Sequence, residues 1–198
     1  MYEERAPERA LIPALTDAHW IGVDVSGAVA AQARRLVMSP VTVADVRSVP
    51  FRSASFDGVL STSTLDHFDH RADITRSLRE LRRVLVPGGR LILTLDNPRN
   101  PLVRLRNALP PRLAERTGLV PFAVGETLAE PDGRRALAAS GFMVDETQHL
   151  LHAPHVVGTR LARYSWYERR VLPRAERLGS TRLAPISGHF VAFSARAV

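Results

Sequence analysis

The stretch LRELRRVLVPGGRLILTLDN, residues 78–97, decides the fold. Together with Ile74, the residues Leu78, Leu81 and Leu85 recur at 4-3-4 spacing, which predicts one amphipathic helix over 71–85. Pro87-Gly88-Gly89 is expected to stop it. RLILTL, residues 90–95, follows without a polar interruption until Thr94 and reads as a buried strand. Asp96-Asn97-Pro98 closes that strand.

Working outward, the same alternation continues. FDGVLS (56–61), VTVA (41–44) and WIGVDV (20–25) read as strands. Ser26 is placed to cap a helix that runs with a weak apolar stripe to about Val37. Downstream, residues 97–130 are proline-rich and irregular. A helix is expected from Asp132 to Ser140, ending at Gly141, then a strand from Phe142 to His152. A helical stretch over 155–178, broken near Pro173, leads to a last strand from His189 to Ala195. Strands separated by helices predict an α/β fold, a Rossmann-like three-layer sandwich with a mostly parallel sheet. The last two strands close the chain without an evident crossover-helix pattern between adjacent partners, which predicts an antiparallel C-terminal edge.

The chain has 198 residues and no cysteine. That length fits one domain over 1–198. Disulfide scaffolds, zinc-thiolate sites and cysteine nucleophiles are excluded. No histidine spacing suits a metal, so none is expected. No run of about 18 apolar residues is present, and the charged start MYEERAPERA has no apolar signal core, so a cytoplasmic location without membrane contact is expected. The net charge is +7, and every basic residue is arginine. The arginines are spread along the chain and densest between Arg160 and Arg182, where Glu168 and Glu176 interrupt them. A solvated helix face accounts for that stretch better than an acidic partner does, so a nucleic-acid partner is not expected.

In an open α/β sheet, ligands bind outside the carboxyl ends of the strands. The polar residues there are Asp24 and Ser26, Asp45, Ser61 to His70, and Asp96 to Asn97. Asp24 can accept both hydroxyls of a ribose; it is equally an acid placed at a helix start. Asp45 can accept from an adenine amino group, or close an Asx turn.

These residues resemble the class I S-adenosylmethionine-dependent methyltransferases of the seven-strand, small-molecule type. The likeness rests on GVDVS (22–26), ADVRSVPF (44–51), SFDGVLSTSTLDHF (55–68) and LRELRRVLVPGGRLILTLDN (78–97). ASGF (139–142) and SGHFVAFSARA (187–197) extend it. The resemblance implies S-adenosylmethionine as cofactor and methyl transfer to a small-molecule acceptor. It implies a cofactor-binding core over 20–97, a substrate cap over 98–180 and a closing strand over 187–197. Asp24, with Ser26, would bind the ribose hydroxyls. Asp45 and the Val46 backbone would hold the adenine. Ser61 and its following loop would lie beside the cofactor, and His67 would face the substrate. Methyl transfer from a sulfonium needs alignment more than covalent help. A base is required only if the acceptor must lose a proton, and His67 is the candidate, oriented by Asp66 or Asp69.

The N-terminus departs from the family's pattern. A glycine-rich turn belongs about 20 residues before the ribose acid, yet the first glycine of this chain is Gly22. The first strand and its glycine loop are therefore expected to be missing, with Pro7 to Ala18 as the helix that follows them. An N-terminally shortened chain accounts for this most simply. A degenerate relative without catalysis, acting as a scaffold, would also account for it. So would a sheet completed by another chain in a homo-oligomer.

Overall fold

The computed structural model describes residues 18–37, 40–108, 125–153 and 164–198. The expected helix over residues 7–18, residues 109–124 of the proline-rich stretch and residues 154–163, including His155, lie outside them but for Ala18. The chain divides into two compact units, Met1–Phe51 and Arg52–Val198.

The first unit holds strand β1 (Gly22–Asp24), helix α1 (Gly27–Val37) and strand β2 (Val41–Val43). The two strands are parallel, with Asp24 opposite Val43. Ser26 caps α1 as expected: its hydroxyl accepts the Val29 amide at 3.4 Å. The Arg34 guanidinium reaches back from α1 to the Val41 carbonyl, with Nε at 2.8 Å.

The second unit begins with strand β3 (Phe56–Thr62), a 3₁₀ turn at Leu65–His67, helix α2 (Arg71–Val84) and strand β4 (Leu85–Asp96). Helices α3 (Pro101–Ala108) and α4 (Glu130–Ala139) and strand β5 (Phe142–Leu150) follow. The chain then passes through a π turn at Tyr167–Val171, helix α5 (Leu172–Glu176), a 3₁₀ turn at Arg177–Ser180 and helix α6 (Ala184–Ser187) to strand β6 (Phe190–Ala197). The sheet order is β3-β4-β6-β5. β3 and β4 are parallel, and β6 is antiparallel to both of its neighbours. The antiparallel strand is thus inserted beside the edge, and β5 occupies the edge itself.

The expected helix ends one residue early, and the proline-glycine pair does not stop it. Leu85 is already extended, with φ −78° and ψ 139°. The carbonyls of Arg83 and Val84 are taken by the amides of Ala54 and Ser55 at 2.9 and 2.8 Å, so the last turn is capped by the loop before β3. Pro87-Gly88-Gly89 instead forms a bulge inside β4. Phe56 pairs with Leu85 and Gly58 with Arg90, so residues 86–89 stand opposite Asp57 alone. Gly88 needs its φ of +79°, and a Cβ on Gly89 would lie 2.9 Å from the Val86 carbonyl.

β4 is buried on one face only, which corrects the reading of RLILTL as a fully buried strand. Leu91, Leu93 and Leu95 are closed off, alongside Ala195, Phe193 and Val191 of β6. Ile74, Leu78 and Leu81 of α2 and Leu137 of α4 complete that core. Ile92, on the opposite face, is 37% exposed. Nor does Pro173 break the late helix. The preceding turn widens so that Leu172 donates to the Tyr167 carbonyl, and Pro173 enters at the start of α5, where its missing N–H costs nothing.

Gly133 lets α4 approach the sheet, since a Cβ there would lie 2.5 Å from the ring of Phe193. Gly27 opens α1 with nothing within 4 Å of such an atom. Gly133→Ala is therefore expected to destabilise by about 1–3 kcal/mol through overpacking. Gly27→Ala is expected to be neutral or stabilising by up to about 1 kcal/mol. Thermal unfolding of the two variants checks the opposite signs.

Candidate functional site

In the first unit, β1 and β2 end side by side. Asp24 stands opposite Val43, so Asp45 lies two residues further along the neighbouring strand. The two acids are thus offset by roughly 7 Å along and roughly 5 Å across the strands. Asp24 is half-buried, and its Oδ1 accepts the Ser26 amide at 2.7 Å. That bond fixes the carboxylate at the strand end. Asp45 is held more tightly. Its Oδ1 accepts the Arg47 amide at 2.8 Å, and the Arg47 guanidinium bonds both carboxylate oxygens, Nη2 to Oδ2 at 2.6 Å. The Asx turn that competes with adenine binding at this residue is therefore formed. Val46 begins the turn beyond β2 and is half-buried there.

In the second unit, Ser61 lies opposite Leu93 and shares the core face of the sheet. Its hydroxyl is buried without a hydrogen-bond partner among the described residues. Ser63, just beyond β3, has φ +45°, a strained value for a residue with a side chain. Its amide donates to the Thr94 carbonyl at 3.2 Å and to Thr94 Oγ1 at 3.1 Å, so the sharp exit is tied to β4. The 3₁₀ turn that follows carries His67 on its exposed side and Leu65 and Asp66 on its buried side.

Asp66 makes the contact that sequence reading missed. Its Oδ2 accepts the Asp96 amide at 3.1 Å, while Oδ1 is buried without a partner among the described residues. The carboxylate of Asp96 is paired with Arg106 of α3 and lies 3.7 Å from His189 Nε2. Burial, and then the Asp96 charge, push the Asp66 carboxyl up from 3.8 to about 6; the Asp96 amide and His67 pull the other way. Asp66 was expected only as an orienter of His67. Its buried place follows from Leu65, whose side chain is fully enclosed and draws the turn inward.

The chain around this pair is closely fitted. The amides of Gly125 and Glu126 donate to the carbonyls of Asp66 and Phe68 at 2.9 and 2.7 Å. A Cβ at Gly125 would lie 2.3 Å from the Phe68 carbonyl oxygen, so only glycine admits this crossing. Thr127 donates its hydroxyl to the Asp96 carbonyl. Beyond β4, the fully buried Asn97 donates to the carbonyls of Pro185 and Gly188 at 3.0 and 2.9 Å. Asn100 donates to Ser187 and Gly188 and accepts the amides of Leu102 and Val103, capping α3. An asparagine before Pro101 at a helix start was the readable signal for that cap.

Of the remaining histidines, His152 bonds Ser187 Oγ at 2.8 Å and the His149 carbonyl at 2.9 Å. His149 is 3.7 Å from Glu130, and burial lowers its pKa. His152 thus ties the end of β5 to the late helices, and His149 faces the start of α4. No cluster of three metal-ligating residues occurs among the described residues, and none of their helices is long and apolar enough to cross a membrane.

Comparison with known proteins bears on the fold. Residues 8–93 match the methyltransferase-domain family. The human probable tRNA methyltransferase 9B is 35% identical over 75 residues, which is 38% of this chain and 16% of that protein. The uncharacterised protein YafE of Escherichia coli is 32% identical over 100 residues, 50% of this chain and 47% of its own. These matches therefore cover less than half of the relatives' length. Among solved structures, a "possible histamine N-methyltransferase" of Thermotoga maritima superposes with TM-score 0.61 at 19% identity, over 96% of this chain and 77% of that one. The [4+2]-cyclase SpnF does so with TM-score 0.60 at 21% identity, over 96% and 71%. The chain has the fold of the class I S-adenosylmethionine-dependent methyltransferases. The particular stretch that matches the methyltransferase domain contains Asp24, Asp45, Ser61 and the Asp66–His67 turn.

Asp66 gives a signed pH dependence. A carboxyl whose pKa is raised on folding binds its proton more tightly in the folded state, so stability is lost as pH rises from 3.8 through about 6. Asp66→Asn removes that loss. The variant is expected to gain on the wild type across this window, levelling off above it at up to about 3 kcal/mol. Denaturant unfolding at a series of pH values measures the difference; parallel curves would contradict it.

Proposed function

We propose that this chain binds S-adenosylmethionine and transfers its methyl group to a small-molecule acceptor. The observation that carries the reading is Asp24, a carboxylate pinned at the end of β1 immediately before α1, within the stretch that matches the methyltransferase domain. Its acceptor chemistry suits the cofactor. Ser26 occupies one face of Oδ1, which leaves lone pairs on both oxygens for the two hydroxyls of a ribose. Asp45 stands one strand over, at a spacing that suits the adenine end of the same nucleoside. The Arg47 pair restricts Asp45, so the Val46 backbone takes a larger share of the adenine in this reading.

When bound, S-adenosylmethionine supplies an electrophilic methyl group on a sulfonium. The chain's part is to align and to exclude water. The resemblance would set the strained loop after Ser61 beside the cofactor, with Ser61 itself buried on the core face of the sheet. His67, exposed beside buried Asp66, accepts the proton if the acceptor has one to lose.

Isothermal titration of S-adenosylhomocysteine into the purified chain tests the proposal. Micromolar binding is expected, weakened at least tenfold in Asp24→Ala. A folded chain that binds nothing would sink the enzyme reading and leave a methyltransferase-like scaffold.

A further inference from the structure

The segment from Tyr164 to Ser187 has no part in the cofactor reading and gives little to the core. Among its residues only Tyr167 and Ala184 are buried. Tyr164 and Trp166 are 41% and 49% exposed, although large aromatics normally hide most of their surface. The two rings are stacked, with centroids 6.5 Å apart and planes 28° from parallel. Trp166 in turn stands edge-on against Tyr167 at 6.0 Å and 86°. Tyr167 is 3% exposed, so the pair is braced from below by a ring fixed in the body. This is an outward aromatic platform.

Arginines extend from it along one side. Arg170 lies four residues after Trp166, Arg174 four further on and Arg177 three beyond that, about one turn apart along the π turn, α5 and the 3₁₀ turn. Arg174 Nη1 donates to the Arg170 carbonyl at 2.7 Å, and Arg169 Nη2 to Ser165 Oγ at 3.0 Å. Glu176 is turned to the body, where its Oε1 accepts the His152 amide at 3.0 Å. Of the two acids that interrupt the arginines in the sequence, Glu176 is thus committed elsewhere, and Glu168 stays within the run.

We propose that Tyr164, Trp166, Arg170, Arg174 and Arg177 form a docking surface for single-stranded nucleic acid. Unpaired bases offer π faces that stack on exposed aromatics, and their backbone supplies a phosphate for each arginine of the stripe. A paired duplex hides its faces and would leave the rings idle. A membrane surface would draw on the exposed Val171, Leu183 and Ile186 of the same segment, and vesicles of anionic lipid test that alternative directly. The surface does not depend on the cofactor reading, and it revises the expectation drawn from charge alone.

The test is fluorescence anisotropy of the full chain with a short fluorescein-labelled oligouridylate, and with its deoxythymidine counterpart to separate RNA from DNA. Binding is expected at low salt, with a log–log salt slope close to about −2 if three arginines each neutralise one phosphate. Trp166→Ala is expected to weaken it between about fivefold and about a hundredfold. Replacing Arg170, Arg174 and Arg177 by Gln together is expected to flatten the slope. The triple variant changes only exposed residues, and Trp166→Phe tests the platform should Trp166→Ala fail to fold. Titration with S-adenosylhomocysteine is expected to be unchanged in all of them. Absence of saturable binding, or binding that neither set of changes weakens, would overturn the proposal. So would preferential binding to vesicles of anionic lipid over the oligonucleotides.

Discussion

Asp96 is bonded through its amide, its carbonyl and its side chain at once. The amide goes to Asp66, the carbonyl takes the Thr127 hydroxyl and the carboxylate takes Arg106. These partners lie on three separate stretches: the turn after β3, the segment before α4, and α3. The carboxyl end of β4 is therefore the point where those stretches are held in register. Arg106 offsets the charge of Asp96, but no cation bonds the Asp66 carboxylate among the described residues. Two acids are packed together, and one keeps an oxygen there without a partner in a buried place. Such an arrangement is costly to stability. It is more typical of a rim built for chemistry than of a core built for packing.

The regular parts were legible from residue order alone. Leucines at helical spacing located α2, and the apolar run after it located β4, because each is a local pattern with one physical meaning. Asp24 and Asp45 could be found as acids at strand ends. What could not be read depended on contacts between distant residues. The bulge at 86–89 exists because Phe56 and Gly58 pair with residues five apart on β4. The insertion of β6 between β4 and β5 is likewise a matter of partner choice across many residues. Asp66 looked like any loop acid until the burial of Leu65 and the amide of Asp96 gave it a place. The Asx turn at Asp45 was visible as an alternative, but choosing it required the Arg47 guanidinium in position.

The fold alone leaves the reaction open. A [4+2]-cyclase and a histamine methyltransferase-like protein share it with this chain at comparable similarity. What differs among such proteins is carried by the strand ends and by the segments added around them. Here those segments are rich in arginine and carry exposed aromatic rings, while the sheet beneath them is held by leucine, phenylalanine and valine. Stability and specificity therefore draw on separate residues.

The bond from the Asp96 amide to the Asp66 carboxylate also makes one backbone proton a gauge. An amide hydrogen bonded to a carboxylate is deshielded when that carboxylate ionises and relaxes when it is protonated. The nuclear resonance of a single main-chain group, at the end of a strand in the middle of the chain, thus registers the charge state of a side chain thirty residues earlier. The rim carries its own spectroscopic label, with no probe attached.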